Sequence, residues 1–419
     1  MPAVTLTLNA DRLGDRLERI ATFTRPDVPW TRRAFSPEFE AGRRWLQEEF
    51  RAAGLNVRLD TAGNLVGTLS GRCAHLLPLA SGSHTDTVLG GGRFDGVLGV
   101  LAGLEVAQSL RESGRLLRHP LEVIDFLSEE PSAYGVSCVG SRTMAGTLVP
   151  DMLALSAPCG ETLHAALQRV GARPDALAQA VRAPGDIAAF VELHIEQGPV
   201  LEQAKLPIGV VTYIVGIRRV AITIEGRADH AGTMPLDLRQ DALVGNAHAV
   251  STVRAVADRF LTWPWYVVAT VGRLNVLPNA SNAVPGRVEM VLEVRSDSAE
   301  ILEVFPETVI AECQPELSRM QLRASVRQLS RTTPTPCSDI VMAAVAQAAA
   351  DLDLPCRQLP IGAGHDALHL AAVAPIGMVF VPCRDGRSHC PEEWIDKTTA
   401  ANGARVLAGA LLGLDRQLA

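Results

Sequence analysis

Apolar positions recur every three to four residues over 9–22, where Leu13, Leu17 and Ile20 mark one face and Asn9 stands before them as a cap; this spacing predicts a helix. A second helix is expected to open at Ser36, with Glu38 and Glu40 in its first turn, Ala41, Trp45, Leu46 and Phe50 on its buried side, and Gly54 as its stop. Residues 56–69 alternate around Ala62-Gly63-Asn64, the pattern of a β-hairpin. Short apolar runs at 76–80, 121–127 and 191–195 read as buried strands, and 97–111 as a helix rich in small residues.

From about Ile214 the texture changes. A strand at 219–225, a long helix at 235–259, strands at 266–275 and 283–295, a helix at 298–313 and a strand at 320–329 give the order β-α-β-β-α-β of a ferredoxin-like module. Its exit, 331–339, has the Pro and Thr content of a linker. Helix 340–352, strand 376–381 and helix 399–414 then resume the earlier alternation. The expected architecture is α/β. A mixed, mainly parallel sheet flanked by helices is built from 1–213 and 332–419, and an α+β lid and dimerisation domain is inserted at 214–331.

A chain of 419 residues, 47% hydrophobic, has material for two cores. A net charge of -7 and the lack of a basic patch make nucleic acid and anionic membrane unexpected partners. No apolar run is long enough to span a bilayer. The eight cysteines form no C-x-x-C pair, and the first twenty residues hold no uninterrupted apolar stretch, so a reduced, cytoplasmic protein is expected.

The chemistry collects at predicted strand ends, where ligands bind in α/β sheets. Run 76–80 leads to His84 and Asp86, two apart and so on one face of an extended backbone. A carboxylate there can accept one ring N–H and leave the other nitrogen for a metal. Asp95 follows Gly90, Gly91 and Gly92, whose turn can carry it back over His84. Run 121–127 ends at Glu129-Glu130, adjacent carboxylates that point opposite ways on an extended backbone, one to a metal and one to a substrate. Run 191–195 carries His194, and 376–381 leads to His389. Each alone also fits an ordinary loop pair, a solvated acidic turn or a satisfied core histidine; together they are hard to obtain by chance.

In order and context (SHTDT, GGGRFDGVLG, SEE, HIEQG, DHAGTMP, GAGHDA, SHCPEE) these stretches resemble the M20 family of co-catalytic metal hydrolases over almost the whole chain. The resemblance is nearest to its amidase branch, which acts on N-carbamoyl-L-amino acids, allantoate, ureidoglycolate or β-ureidopropionate. It implies two divalent ions, zinc, manganese or cobalt, one on His84, Asp95 and His194 and the other on Asp95, Glu130 and His389. Glu129 is then the general base and Asp86 the group that orients His84. Gln197, His230, Asn282 and Arg295 match positions that contact the ureido group and the substrate carboxylate, with His230 also placed to stabilise the oxyanion. Arg218 is either a further substrate contact or a solvated edge charge. The backbone at Gly364 faces substrate, and His365 and Asp366 steady that loop.

The implied activity is hydrolysis of a linear ureido C–N bond, N-carbamoyl-L-amino acids first and allantoate or ureidoglycolate next, in a homodimer joined through the lid. Members often read EEGSRF after the base, whereas this chain reads Glu129-Glu130-Pro131-Ser132-Ala133-Tyr134, which leaves the exact substrate open. An M20 peptidase or a non-catalytic binding protein is the remaining alternative.

Overall fold

A computed structural model describes residues 6–418 apart from Trp263. The chain groups into two compact units. One holds the described chain up to Thr212, Cys337–Leu359 and everything from Gly364; the other holds Tyr213–Pro336 and Pro360–Ala363.

The first unit is built on a sheet of strands β1 (Asn56–Leu59), β2 (Leu65–Leu69), β3 (Leu79–His84), β4 (Leu121–Phe126), β5 (Ala189–Ile195) and β6 (Ile208–Ile214), joined late in the chain by β14 (Cys356–Ile361) and β15 (Ile376–Val381). Its order is β1-β2-β4-β3-β5-β15-β6, with β14 also pairing β6. The central four, β4-β3-β5-β15, run parallel, while the pairs β1–β2, β2–β4 and β15–β6 are antiparallel. β3, β4, β5 and β15 are buried along their whole length, as expected where helices flank a parallel sheet.

Helices Ala10–Ala21, Val97–Glu112, Asp339–Ala350 and Lys397–Gln417 share one large core with these strands. Local chemistry sets their ends: Asn9 accepts the Arg12 N–H and Asp396 the Thr399 N–H. The strand expected at 76–80 lies later, at Leu79–His84, so His84 is its last residue.

The second unit has its own core. Strands β7 (Gly216–Glu225), β9 (Val267–Leu277), β11 (Arg287–Ser296) and β12 (Arg323–Arg331) form an antiparallel sheet in the order β12-β7-β11-β9. Helices Ala242–Asp258 and Ala299–Arg319 pack on it through Val220, Ile222 and Ile224 of β7 and Val288, Met290, Leu292 and Val294 of β11. A small ribbon pairs β8 (Asp229–His230) with β10 (Ala283–Val284).

Two expected elements change here. The helix expected from 235 begins at Ala242, where Asp241 accepts the N–H groups of Leu243 and Val244. The strand expected over 283–295 breaks at Pro285-Gly286 into β10 and β11. The unit also takes in more chain than 214–331. Strand β13 (Thr335–Pro336) pairs with Tyr213 and Ile214, and the Gly362 carbonyl accepts a hydrogen bond from Arg295.

Candidate active site

Register brings the chemistry to one edge of the parallel sheet. His84 is level with Phe126 at the end of β4, so the chain leaving β4 delivers Glu129 and Glu130 beside it. His194 lies next to last in β5, level with Phe380 of β15, whose exit leads to His389. The His84 ring, almost fully buried, donates from Nδ1 to the carbonyl of Asp86 at 3.0 Å. That bond leaves the His84 Nε2 lone pair free; His194 Nδ1 donates likewise to the Ile195 carbonyl at 2.8 Å, while its Nε2 accepts the Gly96 N–H at 3.0 Å.

The Asp86 carboxylate has a different task from the one expected. It stands 3.6 Å from the His84 ring and accepts the backbone N–H groups of Glu129 at 3.2 Å and Glu130 at 3.1 Å. Asp86 orients His84 through its main chain and the two glutamates through its side chain.

Asp95 lies between the two halves of the cluster. Its Oδ1 is 3.1 Å from His194 Nε2 and 3.7 Å from His84 Nε2; its Oδ2 is 3.1 Å from His389 Nε2, which is also 3.1 Å from Glu130 Oε1. The turn behind it needs glycine. Gly96 has φ +65°, and a Cβ there would lie 2.4 Å from the His84 ring. Gln197 donates from Nε2 to Asp95 Oδ2 at 2.8 Å, while its Oε1 is buried without a partner.

Two groups therefore offer converging ligand atoms, His84–Asp95–His194 and Asp95–Glu130–His389, each within 4.8 Å. Imidazole nitrogens with carboxylate oxygens suit zinc, manganese or cobalt, so the donor set fits the cations expected. A third group, Glu192–His194–His365, meets the same distance. Its carboxylate, however, already accepts Ser83 Oγ at 2.7 Å and the Ala367 N–H at 3.2 Å. His365 packs edge-on against His194 at 4.5 Å, and burial holds its imidazole well below the usual range.

Glu129 sits 3.5 Å from His84 Nε2, and burial pushes its carboxyl well above the usual range. A buried carboxylate poised to take up a proton is what a general base requires. Hydrogen bonds from the His389 ring to the carboxylates of Asp95 and Glu130 raise its pKa to about 11. Nothing in the sequence singles out two further neighbours: Cys138, whose Sγ is 3.6 Å from Glu129 Oε1, and Ser388, whose Oγ is 2.6 Å from Asp95 Oδ2.

The remaining expected residues lie in the second unit, apart from Gly364, where a Cβ would meet nothing within 4 Å. His230 and Asn282 come together on the β8–β10 ribbon, whose Ala231 N–H donates to the Asn282 carbonyl at 3.0 Å. The exposed His230 accepts the Gly232 and Thr233 N–H groups on Nδ1 at 3.0 and 3.2 Å, so Nε2 carries its proton outward as a donor. Arg295 is steadied by Glu293 at 2.7 Å and the Gly362 carbonyl.

Arg218 departs from both readings of it, substrate contact and edge charge. It is buried and donates to the carbonyls of Leu302 and Glu303 and to both carboxylate oxygens of Glu307. The cause is strand parity: 218, 220, 222 and 224 share the face covered by the helices. Arg219 takes the open face and pairs with Glu293.

The model for peptidase family M20/M25/M40 matches residues 71–413. An N-carbamoyl-L-amino acid amidohydrolase of Geobacillus stearothermophilus is 40% identical over 96% of this chain and 97% of its own length. An allantoate amidohydrolase of Bacillus subtilis is 32% identical over 92% of each chain. The crystal structure of an amidase of the hydantoinase/carbamoylase family from Burkholderia multivorans superposes with TM-score 0.90 at 35% identity, covering 98% of both chains. Family-wide metal dependence agrees with the paired ligand groups around Asp95. With strand-end histidines, a shared aspartate and full-length similarity pointing one way, this chain belongs to the M20 family of metal-dependent hydrolases.

Proposed function

We propose that the chain is a binuclear-metal amidohydrolase that cleaves a linear ureido C–N bond, with N-carbamoyl-L-amino acids as substrates. The observation that carries this reading is the pair of ligand groups sharing Asp95 beside the buried Glu129. His84, Asp95 and His194 would hold one cation and Asp95, Glu130 and His389 the other. Bound there, zinc, manganese or cobalt supplies Lewis acidity that polarises the ureido carbonyl and makes a water more acidic.

Glu129 takes the proton of the attacking water on its carboxylate and returns it to the leaving nitrogen. Asp86 holds the Glu129 and Glu130 backbone in place for that transfer. From the lid, His230 Nε2–H donates to the developing oxyanion, Asn282 contacts the ureido group and Arg295 pairs with the substrate carboxylate, while Gln197, beside Asp95 in the catalytic unit, also contacts the ureido group. The backbone at Gly364 borders the substrate, where its bare Cα leaves room.

Residues 214–331 act as a lid and dimerisation domain. Support for the dimer comes from the eleven-residue edge strand β9, which exposes Val268, Leu274 and Leu277. All eight cysteines are free, in keeping with a reduced cytoplasmic setting.

Ammonia release by the metal-loaded protein, measured on N-carbamoyl-L-amino acids, N-carbamoyl-β-alanine, allantoate, ureidoglycolate and dipeptides, tests the reading. Turnover of an N-carbamoyl-L-amino acid supports it, and turnover of allantoate alone moves the chain to the branch of its Bacillus subtilis relative. Dipeptide cleavage without ureido turnover overturns it.

A further inference from the structure

The GGGRFDG loop and the SHCPEE stretch lie almost three hundred residues apart in the chain, and one buried side chain ties them together. Glu393 is 1% exposed. Its Oε1 accepts the backbone N–H of Phe94 at 2.7 Å and of Asp95 at 3.0 Å. Its Oε2 is 2.8 Å from Ser388 Oγ, and that hydroxyl is 2.6 Å from Asp95 Oδ2. The carboxylate thus holds the Asp95 backbone amide directly and shares with the Asp95 side chain the hydroxyl of Ser388, the residue before His389, whose single proton goes to one carboxylate at a time.

The loop is shaped to admit it. A Cβ on Gly92 would fall 1.9 Å from the Glu393 carboxyl carbon and within 2.1 Å of both its oxygens. Contacts that short are impossible, so the third glycine of the run is the space that Glu393 occupies.

We infer that Glu393 is a positioning residue that fixes Asp95 and the His389 loop in the geometry needed for both to hold cations, and that Gly92 serves it by leaving room. The inference rests on reading Asp95 and His389 as metal ligands. Glu393 touches neither cation nor substrate and works through the Phe94–Asp95 amides and the Ser388 hydroxyl. Outer groups of this kind commonly tune metal affinity by 10- to 100-fold.

Four variants test it: Glu393→Ala, Glu393→Gln, Gly92→Ala and Ser388→Ala. The readout is the dissociation constant of Co²⁺ and Zn²⁺ for metal-stripped protein, set against a competing chelator, with kcat/KM measured after saturation. Glu393→Ala is expected to weaken binding by roughly 10- to 100-fold, and Gly92→Ala, which leaves every ligand and Glu393 itself unmutated, is expected to do the same.

Glu393→Gln keeps an oxygen for the two amides and offers an N–H to Ser388, so it should restore affinity to within a few-fold of wild type. Ser388→Ala removes the shared hydroxyl and should fall between. If Glu393→Ala misfolds, Gly92→Ala and Ser388→Ala still decide. Wild-type affinity in Gly92→Ala and Ser388→Ala, or a Glu393→Gln as weak as Glu393→Ala, overturns the inference. Wild-type protein that binds neither metal overturns the ligand assignment on which it rests.

Discussion

Asp86 and Glu129 are joined through the main chain: the Asp86 carboxylate accepts the Glu129 N–H at 3.2 Å and, with its second oxygen, the Glu130 N–H at 3.1 Å. An amide in place of that carboxylate presents an N–H to one of these donors. Asp86→Asn is therefore expected to lower kcat/KM by roughly 10- to 100-fold. Loss should appear in kcat as well as in metal affinity, because both glutamates shift. Steady-state kinetics at saturating metal, beside a metal titration, separates the two.

Removing the base while keeping the ligands gives a sharper contrast. Glu129→Gln should lose about 10²–10⁴ in kcat. Metal content measured by elemental analysis should stay at the wild-type value, since Glu129 belongs to neither ligand group that shares Asp95. Equal turnover in variant and wild type would remove Glu129 from the reaction.

The two lid arginines should separate binding from stability. Arg295→Ala loses a charged hydrogen-bonding partner for the substrate carboxylate and should raise KM roughly 10- to 100-fold with little change in melting temperature. Arg218→Ala strands the buried Leu302 carbonyl, the part-buried Glu303 carbonyl and Glu307, and should destabilise the second unit by about 2 kcal/mol while KM holds. Thermal denaturation and Michaelis kinetics on both proteins read this out. A raised KM in a fully stable Arg218→Ala would return Arg218 to the substrate.

His369 carries a pH dependence. Its Nε2 is buried without a partner, and burial, with Arg142 adding to it, lowers its pKa to about 4 from 6.5. Above 6.5 the ring is neutral in both folded and unfolded chains and contributes no slope. Between 6.5 and 4 the unfolded chain takes up a proton that the folded one refuses, so stability falls as pH falls. The loss is at most about 1.4 kcal/mol per pH unit and about 3 kcal/mol in all. His369→Leu should remove this component. Denaturant midpoints at pH 7 and pH 5 for both proteins provide the measurement, and identical slopes would rule the effect out.

Much of the catalytic sheet can be read from the chain because its parallel strands are short, wholly buried and end in chemistry: His84, Glu129 and His194 each follow or close such a run. The lid module is legible from its element order, and the shared face of Arg218 with Val220, Ile222 and Ile224 is legible from parity once that strand is extended back by three residues, to Gly216. Asp86 is harder. Spacing two residues from His84 fits a side-chain contact to the ring, and only the position of the Glu129–Glu130 backbone, from a different strand, redirects the carboxylate. Glu393 and Ser388 leave no local signal, because their partners at 94 and 95 are brought to them by the fold alone.

Strand β15 pairs with β5 from Phe190 and Ile376 onward, and the lid lies between them in the chain. On the ribosome the lid emerges complete, with a core of its own, while β5 still lacks its neighbour on one side. Four of the five proposed ligands are synthesised before His389, and the last arrives only once β15 has been made. A nascent chain of this protein passes through a stage with a finished lid and an open, apolar parallel edge. Unpaired strands of that kind recruit other chains. Slow translation through the residues just before Ile376 would prolong that exposure, which makes yield in the cell sensitive to the rate at which this one stretch is made.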